Sequence, residues 1–382
     1  MGRLGIIERV FMTQQDRGLQ MAFPSFLSEV TGHRLMAAVL SALILHGLGI
    51  GTSVCLGQGG QDAASSNTKL DSPIMSKPDL FKPLTEPPCS YCVNQNRKGF
   101  VNADDPVIAW IRGAHNGGAI PMRHFLAAPR VINDTYGLFF FDADGGYVSA
   151  FKKDYGYKFH GWRGGVMVVE DKDGSLWSAL TGLAISGPSK GKRLERVPSM
   201  KTTWSHWLML HPESTAYDMF DGKKYPMSEL PTEISADAKA SMGKVDDRLA
   251  AESLVMGLEG GKSQFAIDLT GLQERACFRD QVDGQTVAVF WYGPTRSAVV
   301  FESTLDGKSL TFYADEISPE TAPFKDKETG TRWTLAGRGV DGPLKGKELN
   351  WFPSIQCRWY AWSHEYPQTR LRKSEQPAGD SK

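Results

Sequence analysis

Two aspartates follow one of the apolar runs of the sequence. Asp142 and Asp144 come directly after residues 138–141, a run typical of a buried strand. Paired carboxylates can act as general acid and base or bind a cation. The same Asp-x-Asp-Gly sequence is also common in hairpin turns, and the further oxygens of a calcium loop are missing. We therefore predict a turn here, with both aspartates as candidate ligand-binding residues and no metal.

A second candidate site is the glycine-containing segment 160–165, which we expect to form a loop before a strand. His160, Trp162 and Arg163 combine a titratable ring, an indole donor and a guanidinium, and this combination suits an anion or a sugar. The alternative is a tight turn in which the indole and the imidazole stack. The full set of candidate ligand-binding residues is Asp142, Asp144, His160, Trp162, Arg163, Tyr292 and Arg296.

The sequence lacks the strong signatures of the common enzyme classes. It contains no H-E-x-x-H and no Walker loop. His206 and His211 are five residues apart on a predicted helix, so they point in different directions and make poor metal partners. We expect no cofactor and no metal. One enzymatic alternative stays open, a hydrolase in which Asp142, Asp144 and His160 lie within hydrogen-bond reach of one another.

The sequence segments that position these residues occur twice along the chain. Glycines, prolines and tryptophans recur at a constant separation of 155 residues, as in the pairs Gly182/Gly337, Trp204/Trp359 and Pro212/Pro367. So many matches of these residue types at one constant separation do not arise by chance, so the pattern predicts a tandem duplication. Matched tryptophans are expected to pack in the core rather than to form a platform for a sugar or another flat ligand. These expected structural tryptophans are Trp177, Trp204, Trp207, Trp333, Trp359 and Trp362.

Each copy combines short β-rich runs with one helix at its end. Aspartyl-glycine turns separate the runs, and tryptophans at helical spacing before Pro212 and Pro367 predict the helices. The predicted fold class is α+β and β-rich, with two tandem homologous domains, each a mainly antiparallel β unit closed by a C-terminal helix. The predicted segments are a signal-peptide region 1–57, a flexible tether 58–100, a first repeat domain 101–215, a connector 216–252, a second repeat domain 253–371 and a disordered tail 372–382.

The N-terminal region has the features of an export signal. Residues 35–50 are almost entirely apolar, follow Arg34 and are shorter than a comfortable membrane span. We predict an exported protein of the periplasm or cell envelope, with membrane contact only through this segment if it is not cleaved. The 43 basic and 43 acidic residues balance, so no global field favours binding to nucleic acid.

Four cysteines follow the signal region, and an oxidising compartment would allow them to form disulfides. Cys277 and Cys357 both lie in the second copy, so a bridge between them is possible. Cys89 and Cys92 could close on each other, and a redox role for this pair is disfavoured because no strand-to-helix context surrounds it.

The combined motifs resemble the bacterial "domain of unknown function 3179" family. The patterns Gly-Ser-x-Trp, Gly-x-x-x-x-Gly-Pro-x-x-Gly-x-x-Leu and Thr-Thr-Trp-x-x-Trp-x-x-x-His-Pro are carried by residues 174–177, 182–194 and 202–212. Many members have Cys-Pro-Leu-Cys-Gly where this chain has residues 142–146 in one copy and 292–296 in the other. The resemblance implies an exported bacterial protein and a domain architecture, but no activity. The lost cysteine pair argues for a degenerate, binding-type member, or for chemistry that never used those cysteines.

The sequence therefore favours a non-catalytic two-domain module that binds a small molecule or a protein partner. On this hypothesis the loops around residues 142–144, 160–162 and 292–296 line one concave cleft between the copies. Besides the hydrolase, a structural subunit of an envelope assembly is an alternative, with the segment before Val101 as its tether.

Overall fold

The described part of the chain is β-rich with few helices, the coarse fold class expected from the many short β-rich runs. The computed structural model describes residues 72–86, 101–112, 116–123, 130–217, 232–272 and 274–373. No helix in these ranges is long and apolar enough to cross a membrane. The predicted signal region and the Cys89/Cys92 pair lie outside the described residues.

The strands are short and are distributed over both halves of the described chain. The strands of the first half, up to residue 217, are β1 (Ile74–Ser76), β2 (Leu84–Thr85), β3 (Pro106–Arg112), β4 (Asn116–Pro121), β5 (Val131–Asp134), β6 (Gly137–Asp142), β7 (Tyr147–Phe151), β8 (Lys158–Arg163), β9 (Val166–Glu170), β10 (Leu176–Ser178), β11 (Ala184–Ser186), β12 (Met200–Thr203) and β13 (Thr215–Ala216). Those of the second half, from residue 232, are β14 (Leu254–Glu259), β15 (Gln264–Asp268), β16 (Ala276–Val282), β17 (Gln285–Tyr292), β18 (Ser297–Glu302), β19 (Thr304–Leu305), β20 (Lys308–Ser309), β21 (Phe312–Ala314), β22 (Phe324–Asp326), β23 (Arg332–Trp333), β24 (Gly339–Asp341), β25 (Ser354–Arg358) and β26 (Arg370–Arg372).

The described helices are short and two of them have side-chain caps. They are α1 (Trp204–Leu210), α2 (Ala236–Ser241) and α3 (Trp359–Glu365). The hydroxyls of Thr203 and Ser235 accept hydrogen bonds from the first turns of α1 and α2, which satisfies N–H groups that have no partner within the helix. α1 and α3 follow β12 and β25 and lie where the spacing of the tryptophans predicts helices.

The strands form several small sheets in each half, and sheets I and I′ have the same strand order. In the first half they are sheet I (β12-β3-β4-β13), sheet II (β2-β5-β6-β7) and sheet III (β1-β8-β9-β10-β11). In the second half they are sheet I′ (β25-β14-β15-β26), sheet II′ (β16-β17-β18), sheet III′ (β21-β22-β23-β24) and a two-stranded sheet (β19-β20). In sheets I and I′ a central hairpin is flanked on one side by the antiparallel strand that leads into a helix. A parallel strand flanks it on the other side.

The two halves share their hydrophobic cores. One core combines sheets II and III with sheet I′ and helix α3, and it includes Trp177, Trp359 and Trp362. A second core combines sheets II′ and III′ with sheet I and helix α1, and its tryptophans are Trp204, Trp207 and Trp333. These six tryptophans are all buried.

This packing differs from the predicted closure of each half by its own helix. Helix α1 lies on sheet I, and together they cover sheets II′ and III′ of the second half. Helix α3 lies on sheet I′, and together they cover sheets II and III of the first half. The reason is that sheet I has two apolar faces. Ile108 and Trp110 face sheet II of their own half, whereas Val107 and Ala109 on the opposite face join the core of the second half. Strand alternation therefore sends one face of the same strand into each half.

Two matched glycines mark the same close approach in both halves. Gly182 and Gly337 have positive φ angles of 65° and 77°, a conformation that favours glycine. A Cβ atom would lie 2.6 Å from a ring carbon of Phe151 at Gly182 and 2.6 Å from a ring carbon of Phe301 at Gly337. The recurrence of these glycines 155 residues apart is therefore explained by one turn geometry.

Candidate functional site

The two candidate aspartates are buried and are used by the fold. Asp142 accepts hydrogen bonds from the backbone N–H groups of Gly145 and Met167, at 2.9 and 3.0 Å. Asp144 accepts from the backbone N–H and the hydroxyl of Ser235, at 2.7 and 3.0 Å. These bonds tie the turn between β6 and β7 to β9 and to the start of α2. Both carboxylates thus have the contacts of turn and anchoring residues.

The electrostatics of this turn are perturbed by burial. Burial, and then the charge of Asp144, raise the pKa of Asp142 to about 6. Arg130 lies nearby, with its guanidinium carbon 4.4 Å from the ring centroid of Phe81. Burial lowers the pKa of Arg130, and the two carboxylates oppose that shift. The cluster is a set of buried charges that partly compensate one another.

We expect the substitution Asp144→Asn to lower the pKa of Asp142, because it removes the neighbouring negative charge while the burial remains. The Asn amide keeps an oxygen that can accept from Ser235. An NMR titration of the Asp142 carboxyl carbon measures the change, with Asp154→Asn as a control that leaves this pKa in place. The same Asp142 pKa in Asp144→Asn and in the unaltered chain would contradict the coupling of the two carboxylates.

The segment around His160 forms a strand and not the predicted loop. Residues 158–163 are β8, and Gly164 and Gly165 form the turn to β9. The glycines suggested a loop, but Gly161 has another reason to be present. A Cβ atom at Gly161 would lie 1.9 Å from the carbonyl oxygen of Met75 on β1, so glycine lets the two strands pair.

The candidate side chains of β8 have separate environments. His160 Nδ1 lies 3.0 Å from Glu170 Oε2, and the Trp162 indole is buried in the core. The Arg163 guanidinium pairs with Glu365 of α3 at 2.8 Å. His160 and Arg163 are therefore engaged by protein carboxylates.

The candidates of the second half lie at the turn between β17 and β18. Tyr292 is buried, and its ring centroid is 4.8 Å from that of His206 on α1. Arg296 has a positive φ of 49°, and its carbonyl oxygen accepts a hydrogen bond from Gln356 Nε2 at 2.9 Å. This turn corresponds in position to the turn that holds Asp142 and Asp144.

The candidates do not converge on one cleft. Asp142, Asp144 and Trp162 border a recess of about 10 Å³, which has room for no more than a water molecule. The candidates outside this recess are His160, Arg163, Tyr292 and Arg296. Asp142, Asp144 and His160 bond to other groups and not to one another within the described ranges.

The suggested bridge between Cys277 and Cys357 is wrong, since both residues are free thiols. Cys277 packs against the core of sheet II′, whereas Cys357 belongs to the core that contains α3. Burial raises the pKa of both thiols, so neither is an activated nucleophile.

Two aspartates outside the predicted candidate set accept hydrogen bonds from matched tryptophans. Asp171 Oδ2 accepts from Trp177 Nε1 at 2.9 Å, and Asp326 Oδ2 accepts from Trp333 Nε1 at 2.9 Å. Asp171 also accepts from the backbone N–H of Ser175 at 2.8 Å. The signal in the sequence is the shared Asp-Lys pair six or seven residues before each tryptophan.

An open cavity of about 440 Å³ lies where sheet I and α1 meet the second half. We call it the interface cavity, and its walls include Ile111, Trp207, His211, Phe301, Arg338 and Trp351. The ring centroids of Trp207 and His211 are 4.2 Å apart. Burial, and then the charge of Arg338, lower the pKa of His211 to about 4, so its imidazole is neutral at pH 7. Pockets of this size hold small-molecule ligands in many proteins.

A polar cluster lies at the corresponding place in the second interface, where sheet I′ and α3 meet the first half. Arg196 donates to both carboxylate oxygens of Glu259 at 2.7 and 2.8 Å, and Tyr366 donates to Glu259 at 3.0 Å. We call these three residues the interface lock. Burial opposes the charge of Glu259, but the charge and hydrogen bonds of Arg196 outweigh it and lower the pKa of this carboxyl.

The backbone shows that the lock and the cavity occupy matched positions. Phe151 pairs with Arg196, and Phe301 pairs with Trp351 in the same antiparallel way. Ala109 faces Met200 on β12, and Gly257 faces Ile355, the residue of β25 that matches Met200. Ile111 and Glu259 each come two residues later in their strands, so they occupy matched positions. The matched pairs are Arg196/Trp351, Glu259/Ile111 and Tyr366/His211. Thus the three hydrogen-bonded residues of the lock occupy the positions at which Ile111, His211 and Trp351 border the interface cavity.

Comparison with known proteins places this architecture in a family. A family model described as "Protein of unknown function (DUF3179)" matches residues 163–369, which is more than half of the chain. Neither the curated proteins nor the solved structures contain a match. The chain belongs to the DUF3179 family of proteins of unknown function.

Proposed function

We propose that this chain is an exported, non-catalytic protein that binds a small molecule in the interface cavity between two tandem copies of one architecture. The duplication is supported by the matched sheets, by the constant separation of 155 residues and by the paired glycine turns at Gly182 and Gly337. Export is supported by the apolar segment 35–50 and the residue Arg34 before it.

The contrast between the two interfaces carries the proposal of binding. A duplicated fold has two equivalent interfaces, and both can be closed by the same kind of packing. In one of them the lock residues Arg196, Glu259 and Tyr366 bond to one another at the place that matches the cavity. In the other, the matched side chains leave about 440 Å³ open. Clefts of this size hold small-molecule ligands in many proteins, and a bound ligand would add contacts with the walls of the cavity.

The arrangement of the first-half aspartates gives less support to the hydrolase alternative. The raised pKa of Asp142 is compatible with a general acid. However, the recess beside it is about 10 Å³, and the neighbouring Asp144 is bonded to Ser235 on both oxygens. A substrate would need this turn to open.

The test of binding uses a variant that copies the interface lock into the cavity. The closed variant carries Ile111→Glu, His211→Tyr and Trp351→Arg. Both proteins, each beginning after Gly57, are incubated with a small-molecule extract of the source cells and desalted, and native mass spectrometry then measures any added mass. We expect one added mass on the unaltered chain and none on the closed variant, because the new side chains fill the site.

The result is interpreted only after circular dichroism and urea unfolding have shown that the closed variant is folded. Ile111→Glu alone serves as a second variant if the triple substitution does not fold. Equal retention of the compound by the folded variant and the unaltered chain would contradict binding in the interface cavity. No added mass on the unaltered chain would contradict the proposed function.

A further inference from the structure

A second, much smaller cavity lies where sheets I and II of the first half meet sheets I′ and II′ of the second. Its volume is about 20 Å³, which is room for one or two particles of the size of water. We call it the junction cavity. Among its described lining residues, Lys201 alone has a charged side chain. Its walls include residues at matched positions of the two halves, namely Ile108/Met256, Val148/Ala298, Ser199/Ser354 and Lys201/Gln356.

On the second-half side of the junction cavity, one amide satisfies the backbone of a turn. Gln356 Oε1 accepts from the backbone N–H of Ala298 at 3.1 Å, and Gln356 Nε2 donates to the carbonyl oxygen of Arg296 at 2.9 Å. An amide side chain carries both an acceptor and a donor. Gln356 therefore meets both needs of the turn between β17 and β18.

On the first-half side, a lysine occupies the matched position and can meet only one of these needs. Lys201 Nζ lies 3.5 Å from the carbonyl oxygen of Gly146, the counterpart of Arg296. An ammonium group donates hydrogen bonds but cannot accept them. The first half therefore lacks the acceptor that Gln356 Oε1 provides in the second.

The donor that lacks this acceptor is the backbone N–H of Val148. Phe141 lies opposite Val148 in the pairing of β6 and β7, and its own N–H bonds to Arg130 on the other side of β6. The Val148 N–H therefore points away from β6, as the Ala298 N–H points away from β17. Within the described ranges the Val148 N–H has no hydrogen-bond partner, although backbone N–H groups in protein interiors are normally satisfied.

The positive charges around Lys201 lack a counterion. Burial, and then the charges of Arg296 and Arg358, lower the pKa of Lys201 to about 8. Arg358 donates to the carbonyl oxygens of Asp144 and Thr232. Within the described ranges none of these three cations is in an ion pair with a carboxylate. Lys201 is half-buried rather than enclosed, so ions from solvent can reach it.

We propose that the junction cavity binds one small monovalent anion, such as chloride, between the Lys201 ammonium and the backbone N–H of Val148. The anion supplies in the first half the acceptor that Gln356 Oε1 supplies in the second, and it compensates the cations around it. The small volume excludes sulfate and larger anions. Because the walls come from both halves, the bound anion also joins sheet I to sheet I′. This site is additional to the binding proposed for the interface cavity.

An NMR titration of the isotope-labelled chain beginning after Gly57 tests the inference. Sodium chloride is added to chloride-free buffer, and sodium sulfate is added in a parallel series at equal ionic strength. We expect the Val148 backbone N–H signal to shift saturably with chloride and not with sulfate. The Ala298 N–H is already bonded to Gln356, so its signal should stay in place and serves as the internal control.

The test variant Lys201→Gln copies the residue at the matched position. It should weaken chloride binding about tenfold, because it removes one charge-assisted hydrogen bond. Lys190→Gln makes the same change at an exposed residue that does not line the junction cavity, and it should bind chloride like the unaltered chain. If circular dichroism shows that Lys201→Gln is not folded, Lys201→Met replaces it, since it removes the charge and keeps the apolar stem.

Three results would overturn the inference. They are the absence of a saturable chloride shift at Val148, equal chloride affinity of the folded Lys201 variant and the unaltered chain, and a saturable shift with sulfate. A saturable chloride shift that the Lys201 variant weakens and Lys190→Gln retains would support it. These results leave the interface cavity untouched, because the mass-spectrometric comparison tests that cavity separately.

Discussion

Arg196→Met is expected to lower the free energy of unfolding by about 3–5 kcal/mol. Arg196 and Glu259 are nearly buried, with side-chain exposures of 7% and 11%. Removing the guanidinium leaves the Glu259 carboxylate in the core with one remaining side-chain donor, the Tyr366 hydroxyl. The apolar stem of Met preserves part of the packing that Arg196 makes against the ring of Phe151. Urea unfolding at pH 7 measures the loss.

The pH dependence of this loss of stability follows from the lowered pKa of the Glu259 carboxyl. Arg196 lowers the pKa of Glu259, so the pair contributes stability above the pKa of the unfolded carboxyl, and that contribution is lost as the pH falls through the lower folded value. The deficit of Arg196→Met should therefore shrink in acid, where Glu259 becomes protonated. The control is Arg332→Met, which breaks the exposed pair with Asp341 and should cost no more than about 1 kcal/mol. Equal losses in the two variants would contradict the account of the lock.

Asp326→Ala is expected to lower the free energy of unfolding by about 2–4 kcal/mol, because it removes the acceptor of a fully buried indole N–H. Asp326 also accepts from the backbone N–H and the hydroxyl of Thr329, at 2.6 and 2.8 Å, so three donors lose this acceptor. Asp171→Ala removes the matching acceptor of Trp177 and should cost a similar amount. Urea unfolding of both variants measures the two losses.

A double-mutant cycle separates the bond from general damage. In Asp326→Ala with Trp333→Phe both partners are absent, so the combined loss should be smaller than the sum of the two single losses. The exposed Asp341, paired with Arg332 at 3.1 Å, provides the control substitution Asp341→Ala. Additive losses in the cycle would show that the Asp326–Trp333 contact is not the source of the effect.

The sequence predicted the local elements well because their causes are local. The helical spacing of the tryptophans predicts helices at the positions of α1 and α3. The aspartyl-glycine turns between apolar runs predict that both halves are rich in strands. The segment 160–165 was misassigned as a loop because its glycines serve strand pairing, and the close approach of Gly161 to Met75 depends on a strand far away in the chain. Local composition cannot distinguish these two uses of glycine.

The interface cavity could not be predicted from motifs because it is defined by differences between the copies. Ile111, His211 and Trp351 are far apart in the sequence, and each is ordinary on its own. One signal was present, since His211 has Tyr366 as its counterpart and therefore stands outside the shared pattern. This signal can be interpreted only from the structure, in which the two halves share their cores. That sharing brings sheet I of the first half against the sheets of the second half.

The most direct measurement is an NMR comparison of the tryptophan indole N–H signals with and without the compound that the chain retains. If the ligand occupies the interface cavity, the Trp351 signal shifts strongly, while those of Trp162 and Trp177, which lie in the core of the first half, stay in place. A shift of the Trp162 signal with Trp351 unchanged would locate the ligand at the aspartate turn instead and contradict the account.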